Sequence, residues 1–375
     1  CSSRIPAHAP RQMLFCLSAA GLLVTTAVLP QRVAVVTGAS RGIGKGIAVE
    51  LGRAGYAVYA LGRSSRDMPA AEVERLVAAG QRPVPEGSDL SVDATAEAVT
   101  TAGGRGVAVP CDVSSDEALE RALAKVAEAE GRLDMLVCSA YSTPPGKLRA
   151  DFWTQGMAMW DAVNGVGLRS VYASCTFATP VLIETAKKNP SSAPPPLIVL
   201  VSSFGGKSYT FNVGYGVGKA AIDRLALDMS VQLRKHGVAT TALYPGLVRT
   251  EANLQMVEDG TWDEASGGLD LALGETPTFS GRAVAQLASL GPEAMMARSG
   301  NVEVVAELAQ EFDFTDVGGS RPASIRSLQY LLPNFVFPQI EKESGKPVPA
   351  WLRDNVPDLL LPWFIFSGPP PDAEN

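Results

Sequence analysis

Residues 32–44 read RVAVVTGASRGIG, and this stretch decides the fold of the chain. Its first six residues are rich in β-branched side chains, which is typical of a buried parallel strand. The glycines that follow suit a dinucleotide-binding turn at the start of a helix, where backbone N–H groups bind phosphate. Gly38 permits the tight turn, Gly42 lets the backbone approach a diphosphate, and Gly44 lets the helix lie close to the strand. The residues that we expect to bind the dinucleotide here are Gly38, Ser40, Arg41, Gly42, Ile43 and Gly44.

Strands and helices alternate from this point onward. The strands are expected at 32–37, 57–61, 106–110, 133–138, 197–201, 238–243 and 301–305. The helices are expected from the glycine turn to about 54 and at 69–79, 93–102, 115–130, 157–188, 213–235 and 280–290. This βαβ alternation predicts an α/β fold, a Rossmann-type doubly wound parallel sheet with helices on both faces. We expect a single domain with apolar N- and C-terminal appendages.

Composition narrows the class of protein. Of the 375 residues, 46% are hydrophobic and 19% are charged, which argues against a disordered or fibrous chain. The net charge of −7 argues against a nucleic-acid-binding protein. Two histidines, and five cysteines without a CxxC pair, argue against a metal site and against a disulfide framework.

The two ends of the chain differ from its middle. Residues 1–30 contain two arginines, no acid and a long apolar run, so they are interpreted as a targeting or anchor segment. The dinucleotide-binding domain is expected over residues 31–325. Residues 326–375 form an apolar tail whose proline-interrupted runs are too short to span a bilayer. The tail could lie in a membrane interface, with Trp351 and Trp363 at headgroup depth, fold back onto the domain, or cover a dimer surface.

The end of the second predicted strand favours NADPH over NADH. NAD sites usually place an acid there to bind the ribose, but residues 60–64 read ALGRS. Arg41 and Arg63 could instead bind a 2′-phosphate, because a guanidinium suits phosphate bidentately. Asp112, after the third strand, could accept a hydrogen bond from the adenine amino group. Its alternative role is to cap the helix that starts near Ser115.

A tyrosine and a lysine are candidates for the chemistry. Tyr215 and Lys219 lie four residues apart in a predicted helix and therefore share one face. Ser202 and Ser203 end the fifth strand, at the carboxyl edge of the sheet, where ligands bind in such folds. An adjacent ammonium favours the phenolate and should lower the pKa of Tyr215. Tyr215 is therefore expected to act as a general acid near neutral pH.

These motifs resemble the short-chain dehydrogenase/reductase family over roughly residues 31–366. The resemblance implies that Tyr215 donates a proton to a carbonyl oxygen and that Lys219 holds the nicotinamide ribose and lowers the pKa of Tyr215. It also implies that a serine orients the carbonyl. Ser203 fits the family's Ser-x-x-Gly pattern and is preferred, whereas Ser202 has the usual spacing of thirteen residues to Tyr215 and is kept in reserve.

Further positions follow from the same resemblance. Asn164 matches the helix asparagine that anchors a water for proton relay. The Pro-Gly segment that contacts the nicotinamide amide and the phosphates corresponds to Pro245, Gly246, Val248 and Thr250. Residues 138–141 read CSAY where the family usually has Asn-Asn-Ala-Gly, so only Ala140 is kept as a cofactor-lining residue. This departure puts cofactor affinity in question more than chemistry.

The resemblance also suggests a substrate class. Residues 160–174, 211–221, 277–287 and 316–319, with the apolar tail, look like a dehydrogenase/reductase group linked to NADPH-dependent reduction of steroid and xenobiotic ketones and aldehydes. We therefore expect a carbonyl reductase of small lipophilic substrates that forms a homo-oligomer and binds no nucleic acid. Its expected location is the endoplasmic reticulum membrane or the cytoplasmic face, with a plastid as the alternative. The alternative functions are a 3-oxoacyl thioester reductase and a non-catalytic NADP-binding sensor or scaffold.

Overall fold

The computed structural model describes residues 30–78, 89–142 and 149–367. The predicted targeting or anchor segment therefore lies outside the described residues, apart from Pro30.

The described residues form one seven-stranded parallel sheet, as the alternation predicts. Its strands are β1 Val33–Thr37, β2 Ala57–Gly62, β3 Arg105–Pro110, β4 Met135–Cys138, β5 Leu197–Val201, β6 Ala239–Tyr244 and β7 Val302–Val304. The strand order is β3-β2-β1-β4-β5-β6-β7, and every neighbouring pair is parallel. The order reverses between β1 and β4, so the carboxyl ends of these two strands form the crevice where ligands bind in such folds.

Helices cover both faces of the sheet. The first eight are α1 Gly42–Arg53, α2 Ala70–Ala78, α3 Val92–Thr101, α4 Asp116–Glu130, α5 Phe152–Asn164, α6 Ser170–Lys188, α7 Val213–Leu233 and α8 Glu251–Glu258. The others are α9 Trp262–Ser266, α10 Pro277–Ser289, α11 Pro292–Arg298, α12 Val305–Glu311, α13 Leu328–Leu331, α14 Phe337–Ser344 and α15 Ala350–Arg353. One buried cluster joins the sheet to α1, α10 and α12, and a second joins it to α4, α6 and α7. The doubly wound architecture is thus confirmed.

The long helix predicted over 157–188 is interrupted. It begins earlier, at Phe152, and Gly156 takes a positive φ of 66° inside α5. A π-helical stretch, Gly165–Arg169, then separates α5 from α6. By length and composition alone, Phe152–Lys188 could cross a membrane. Within it, Ala178 and Leu182 are fully buried against the sheet.

The apolar tail packs against the carboxyl edge of the sheet as far as Phe366. Arg326 forms an ion pair with Glu307 of α12 at 2.7 Å, and its guanidinium lies 5.1 Å from the centre of the Trp363 ring. Trp363 in turn packs edge-on against Tyr244 at the end of β6, with ring centres 5.8 Å apart. Phe364 points outward and is 75% exposed. The tail therefore has one face on the domain and another in solvent.

Candidate active site

The glycine loop follows β1 and is tightly packed. Gly38 has a φ of +68°, and a Cβ atom there would lie 2.6 Å from the Cα atom of Ala140, which follows β4. A Cβ atom on Gly44 would lie 2.2 Å from the carbonyl oxygen of Gly38. Both positions therefore need glycine, for the turn and for the close approach of α1 to the strand. Ile43 is half-buried and packs its side chain against the core.

The N-terminus of α1 holds a carboxylate. The backbone N–H of Gly42 donates a hydrogen bond to Oε2 of Glu251 at 2.8 Å. Thr250 lies beside the same glycine and caps α8 by accepting a hydrogen bond from Asn253 N at 3.2 Å. Unpaired N–H groups and the helix dipole attract anions, so the turn behaves as an anion site. Sequence reasoning missed Glu251, which lies 209 residues from Gly42.

Two arginines meet at the end of β2. Arg41 donates to the hydroxyl of Ser64 at 3.2 Å. Burial lowers the pKa of Arg41, and the nearby charge of Arg63 lowers it further, whereas Glu251 raises it. Ser40 lies beside Gly62, the last residue of β2, because a Cβ atom on that glycine would be 3.6 Å from the Ser40 Cβ atom. The predicted residues for a 2′-phosphate thus come together.

Asp112 is engaged in the turn before α4. Its Oδ1 atom accepts hydrogen bonds from the backbone N–H of Ser114 at 3.0 Å and from the Ser114 hydroxyl at 2.7 Å. Ser115 caps the helix by accepting from Ala118 N at 3.2 Å. The helix is therefore capped by Ser115, and Asp112 closes the turn before it rather than capping α4. The contact of Asp112 with adenine stays a prediction.

The loop after β5 brings Ser203 close to Tyr215, and the approach requires glycine at position 205. The Ser203 hydroxyl lies beside the phenol of Tyr215 and acts to lower its pKa, and it accepts a hydrogen bond from Gly205 N at 3.1 Å. A Cβ atom on Gly205 would lie 2.6 Å from the Tyr215 ring. Asn212 caps α7 by accepting from Tyr215 N at 2.9 Å and so fixes the start of the helix.

Ser202, the other candidate serine, forms hydrogen bonds with α7. The Ser202 hydroxyl donates to Oδ1 of Asp223 at 2.7 Å and also lies 3.2 Å from the carbonyl oxygen of Lys219. These contacts tie the end of β5 to α7. Of the two serines, Ser203 is therefore the one whose hydroxyl adjoins the Tyr215 phenol.

Lys219 follows Tyr215 by one turn of α7. Its Nζ atom donates to the carbonyl oxygen of Val201 at 3.0 Å and lies 5.7 Å from the centre of the Tyr215 ring. Burial lowers the pKa of Lys219 to about 8, although the charge of Asp223 raises it. The expected lowering of the Tyr215 pKa is wrong. Burial raises that pKa to about 12, and the hydrogen bond from Ser203 offsets this only in part.

Asn164 ends α5, where the π-helical stretch begins. Its Nδ2 atom donates to the carbonyl oxygen of Gly214 at 3.2 Å. Its Oδ1 atom is buried and has no hydrogen-bond partner among the described residues. A Cβ atom on Gly218 would lie 2.3 Å from this oxygen, so glycine makes room for it on α7. An unpaired buried acceptor is costly, which points to a further donor such as water at this position.

Aromatic rings flank Tyr215 on both sides. Tyr141, at the position where a glycine was expected, lies edge-on to Tyr215 with ring centres 5.8 Å apart. Its ring centre is also 5.4 Å from the Nζ atom of Lys219. Phe211 packs edge-on from the other side at 5.2 Å. Sequence reasoning noted residue 141 only as a departure from a motif and did not place it beside the candidate tyrosine.

The loop after β6 is held by a buried carboxyl group. Glu275 accepts hydrogen bonds from Gly246 N and from the Ser280 hydroxyl, both at 3.1 Å. Burial raises the pKa of Glu275 to about 8. Val248 forms an isolated parallel bridge with Glu275, so the segment from Pro245 to Thr250 runs from the end of β6 to the start of α8 beside Gly42. Glu275 was not anticipated from the sequence.

The described part of the chain holds no group of three or more His, Cys, Asp or Glu side chains placed to bind a metal ion. Its polar groups instead converge on a crevice with an anion site at one end and a phenol, a hydroxyl and an ammonium group at the other.

Comparisons with known proteins find relatives over most of the chain. Residues 86–302 match the family model described as enoyl-(acyl carrier protein) reductase, and residues 32–102 match the model described as short chain dehydrogenase. The chain is 36% identical over 309 residues to dehydrogenase/reductase SDR family member 1 of Mus musculus, covering 80% of this chain and 88% of the mouse protein. For the protein of the same name from Homo sapiens, the identity is 34% over 347 residues, covering 90% and 96%.

Solved structures share the fold. A short-chain dehydrogenase/reductase from Serratia marcescens aligns with a TM-score of 0.55 at 23% identity, covering 74% of this chain and 96% of that one. A 3-oxoacyl-[acyl-carrier protein] reductase from Brucella melitensis, solved with NAD, aligns with a TM-score of 0.57 at 20% identity, covering 73% and 95%. A metagenomic short-chain oxidoreductase, solved with NADP, aligns with a TM-score of 0.51 at 24% identity, covering 74% and 96%.

Proposed function

The chain belongs to the short-chain dehydrogenase/reductase family, and we propose that it is an NADPH-dependent reductase of small lipophilic ketones and aldehydes. The observation that carries this proposal is the contact between the Ser203 hydroxyl and the Tyr215 phenol, with Lys219 one turn away on the same helix. These groups sit at the carboxyl edge of the sheet, where a dinucleotide bound at the glycine loop would end.

The described residues fit a dinucleotide. Close packing at Gly38 and Gly44 brings the N-terminus of α1 next to the strand, where a diphosphate would replace the Glu251 carboxylate at the N–H of Gly42. Lys219 would hold the nicotinamide ribose. Arg41 and Arg63 would hold a 2′-phosphate, which favours NADPH over NADH. When bound, the reduced nicotinamide supplies a hydride.

The side chains of this chain supply the proton and the orientation. A substrate carbonyl oxygen between Ser203 and Tyr215 would accept hydrogen bonds from both hydroxyls. Because the pKa of Tyr215 is about 12, the phenol is protonated at neutral pH and can give its proton to that oxygen. The carbonyl thus gains one hydride and one proton and becomes an alcohol. A water held by the unpaired Oδ1 atom of Asn164 would return a proton to the tyrosine through Lys219.

An apolar substrate suits the surroundings of the tyrosine. Tyr141 and Phe211 flank the reacting phenol with their rings, and Leu254 and Val257 are exposed on α8, the helix that follows the Pro-Gly loop. A flat or bulky hydrocarbon would bury these surfaces, and burial of apolar area stabilises a complex by roughly 25 cal/mol per Å².

A substrate panel tests the proposal. The purified full-length protein would be given NADPH or NADH with a steroid ketone, an aromatic diketone or a 3-oxoacyl thioester. We expect oxidation of NADPH with the bulky ketones and a lower kcat/KM with NADH. Turnover confined to the thioester would favour the alternative reductase, which uses the same side chains. Binding of NADPH without turnover on any substrate would favour the non-catalytic sensor or scaffold.

We also propose that the tail associates with a membrane surface, in keeping with a location at the endoplasmic reticulum. Support comes from the outward-facing side chains of Trp351, Phe364 and Ile365. Replacing all three by serine should move the protein from the membrane pellet to the supernatant in detergent-free fractionation. An unchanged distribution would contradict this role. Homo-oligomer formation stays a prediction that sedimentation can check.

A further inference from the structure

A buried carboxyl group follows Lys219 on the same helix. Asp223 follows it by one helical turn on α7 and is 8% exposed. Its Oδ1 atom accepts a hydrogen bond from the Ser202 hydroxyl at 2.7 Å, and its Oδ2 atom accepts one from the phenol of Tyr244. Burial raises the pKa of Asp223, whereas the hydrogen bonds from Tyr244 and Ser202 and the charges of Lys207 and Lys219 oppose this by favouring the carboxylate. Asp223 therefore joins α7 to the ends of β5 and β6.

The loop after β5 also packs against the carboxyl group of Asp223. A Cβ atom on Gly206 would lie 2.8 Å from Oδ2 of Asp223 and 3.0 Å from the backbone of α7, so this glycine permits the contact. Lys207, from the same loop, places its Nζ atom 3.9 Å from Oδ2. The titratable groups that face Asp223 are thus Lys219 on α7, Lys207 on the loop and Tyr244 on β6.

The surroundings of Lys219 make its charge sensitive to this carboxylate. Its ammonium donates to the Val201 carbonyl and faces the rings of Tyr141 and Tyr215. Burial lowers the pKa of Lys219 to about 8, and the charge of Asp223 is the opposing influence. A cation whose pKa is close to physiological pH changes its occupancy substantially when one neighbouring charge is removed.

We propose that Asp223 is a positioning residue for Lys219, keeping the ammonium protonated by its charge and fixing its helical turn through hydrogen bonds to Ser202 and Tyr244. The catalytic part of this inference rests on the proposed function, in which Lys219 acts as a cation. Trp363 of the tail packs on Tyr244 and shields the buried network from that side.

The direct test measures the protonation of Lys219 without cofactor or substrate. NMR of the full-length protein with ¹³C-labelled lysine side chains would follow the Lys219 signal, assigned by its loss in Lys219→Met. In Asp223→Asn, removing the anion should lower the pKa of Lys219 by about one unit, equivalent to a tenfold change in its protonation constant. An unchanged or higher pKa would overturn the proposal.

A matched control and a kinetic measurement separate charge from packing. Asp228→Asn removes an exposed carboxylate on the same helix, one paired with Arg224, and should leave the Lys219 pKa unchanged. In reduction assays, kcat/KM should fall at alkaline pH as Lys219 loses its proton. In Asp223→Asn this fall should occur at lower pH, because the pKa of Lys219 is lower. An equal loss of activity at every pH, with the alkaline fall at the wild-type pH, would mean that Asp223 is merely structural.

A second variant keeps the proposal testable if Asp223→Asn does not fold. Asp223→Glu keeps a negative charge on the same helical turn, so the Lys219 pKa should stay close to its wild-type value. A fall in that pKa would overturn the proposal, because packing rather than charge would then set it. If the NMR shift appears but the wild-type protein reduces no carbonyl, the proposed function fails and the electrostatic inference stands.

Discussion

The carboxylate of Glu251 accepts a hydrogen bond from the backbone N–H of Gly42 across 2.8 Å. This contact places a negative charge at the helix N-terminus where a dinucleotide diphosphate would bind. Glu251 begins α8, which directly follows the Pro-Gly loop. Cofactor binding should therefore displace Glu251 and shift the start of α8, next to the expected substrate site.

Removing the charge of Glu251 should tighten NADPH binding. Glu251→Gln keeps the shape of the side chain but lacks the repulsion between a carboxylate and a phosphate at close range. We expect the Kd for NADPH, measured by fluorescence titration, to fall several-fold. Glu258→Gln, at the exposed end of the same helix, is the control and should leave the Kd unchanged. Weaker binding in Glu251→Gln would show that the carboxylate assists the cofactor.

The arginine pair should set the preference between the two nicotinamide cofactors. Arg63→Ala removes one of the two cations expected at the 2′-phosphate, and a hydrogen bond to a charged group contributes about 1.5–3 kcal/mol. We therefore expect kcat/KM with NADPH to fall roughly 10- to 100-fold, with little change for NADH. Arg66→Ala, an exposed arginine paired with Asp89 and Glu97, is the matched control. Equal losses with both cofactors would contradict the assignment.

Local patterns predicted the sheet and the elements that carry the candidate site residues. The β-branched runs, the glycine turn and the Tyr215–Lys219 spacing are short-range signals, and the structure places them as expected. The contact of Glu251 with Gly42 was missed because the two residues are far apart in sequence. The packing of Trp363 against Tyr244 was also missed, because an apolar run in the sequence does not indicate which surface it will cover. Asp223 was detectable in part, since it shares the helix face of Lys219, but its burial depends on Gly206 and Tyr244.

The tail should stabilise the catalytic edge of the sheet. Trp363 packs against Tyr244 and lies 6.3 Å, between ring centres, from Phe204, the residue after Ser203. Trp363→Ala should lower the free energy of unfolding by about 2 kcal/mol, because it leaves a cavity between these rings. It should also lower kcat. Urea unfolding and steady-state assays check both effects. Phe364→Ala, its exposed neighbour, should change neither; similar losses in both variants would contradict a specific role for Trp363.

Glu275 should make stability depend on pH. Its pKa is about 8 in the folded protein and 4.5 in the unfolded chain, so the folded state holds the extra proton between these values. The free energy of unfolding therefore falls as pH rises from 4.5 to 8. Glu275→Gln is neutral throughout, and its stability relative to wild type should rise across this window, by on the order of 5 kcal/mol. Urea unfolding at several pH values measures the difference. The exposed Glu293→Gln serves as control, and parallel curves for wild type and Glu275→Gln would contradict the prediction.

The role of Tyr215 as proton donor is tested most directly by Tyr215→Phe, which removes only the phenolic oxygen. NADPH oxidation with a bulky ketone would be compared in the wild type, in Tyr215→Phe and in Tyr172→Phe, an exposed tyrosine on α6. We predict that kcat/KM falls about 10²- to 10⁴-fold in Tyr215→Phe alone, with NADPH affinity retained. Turnover at the wild-type rate in Tyr215→Phe would contradict the assignment of Tyr215 as the acid.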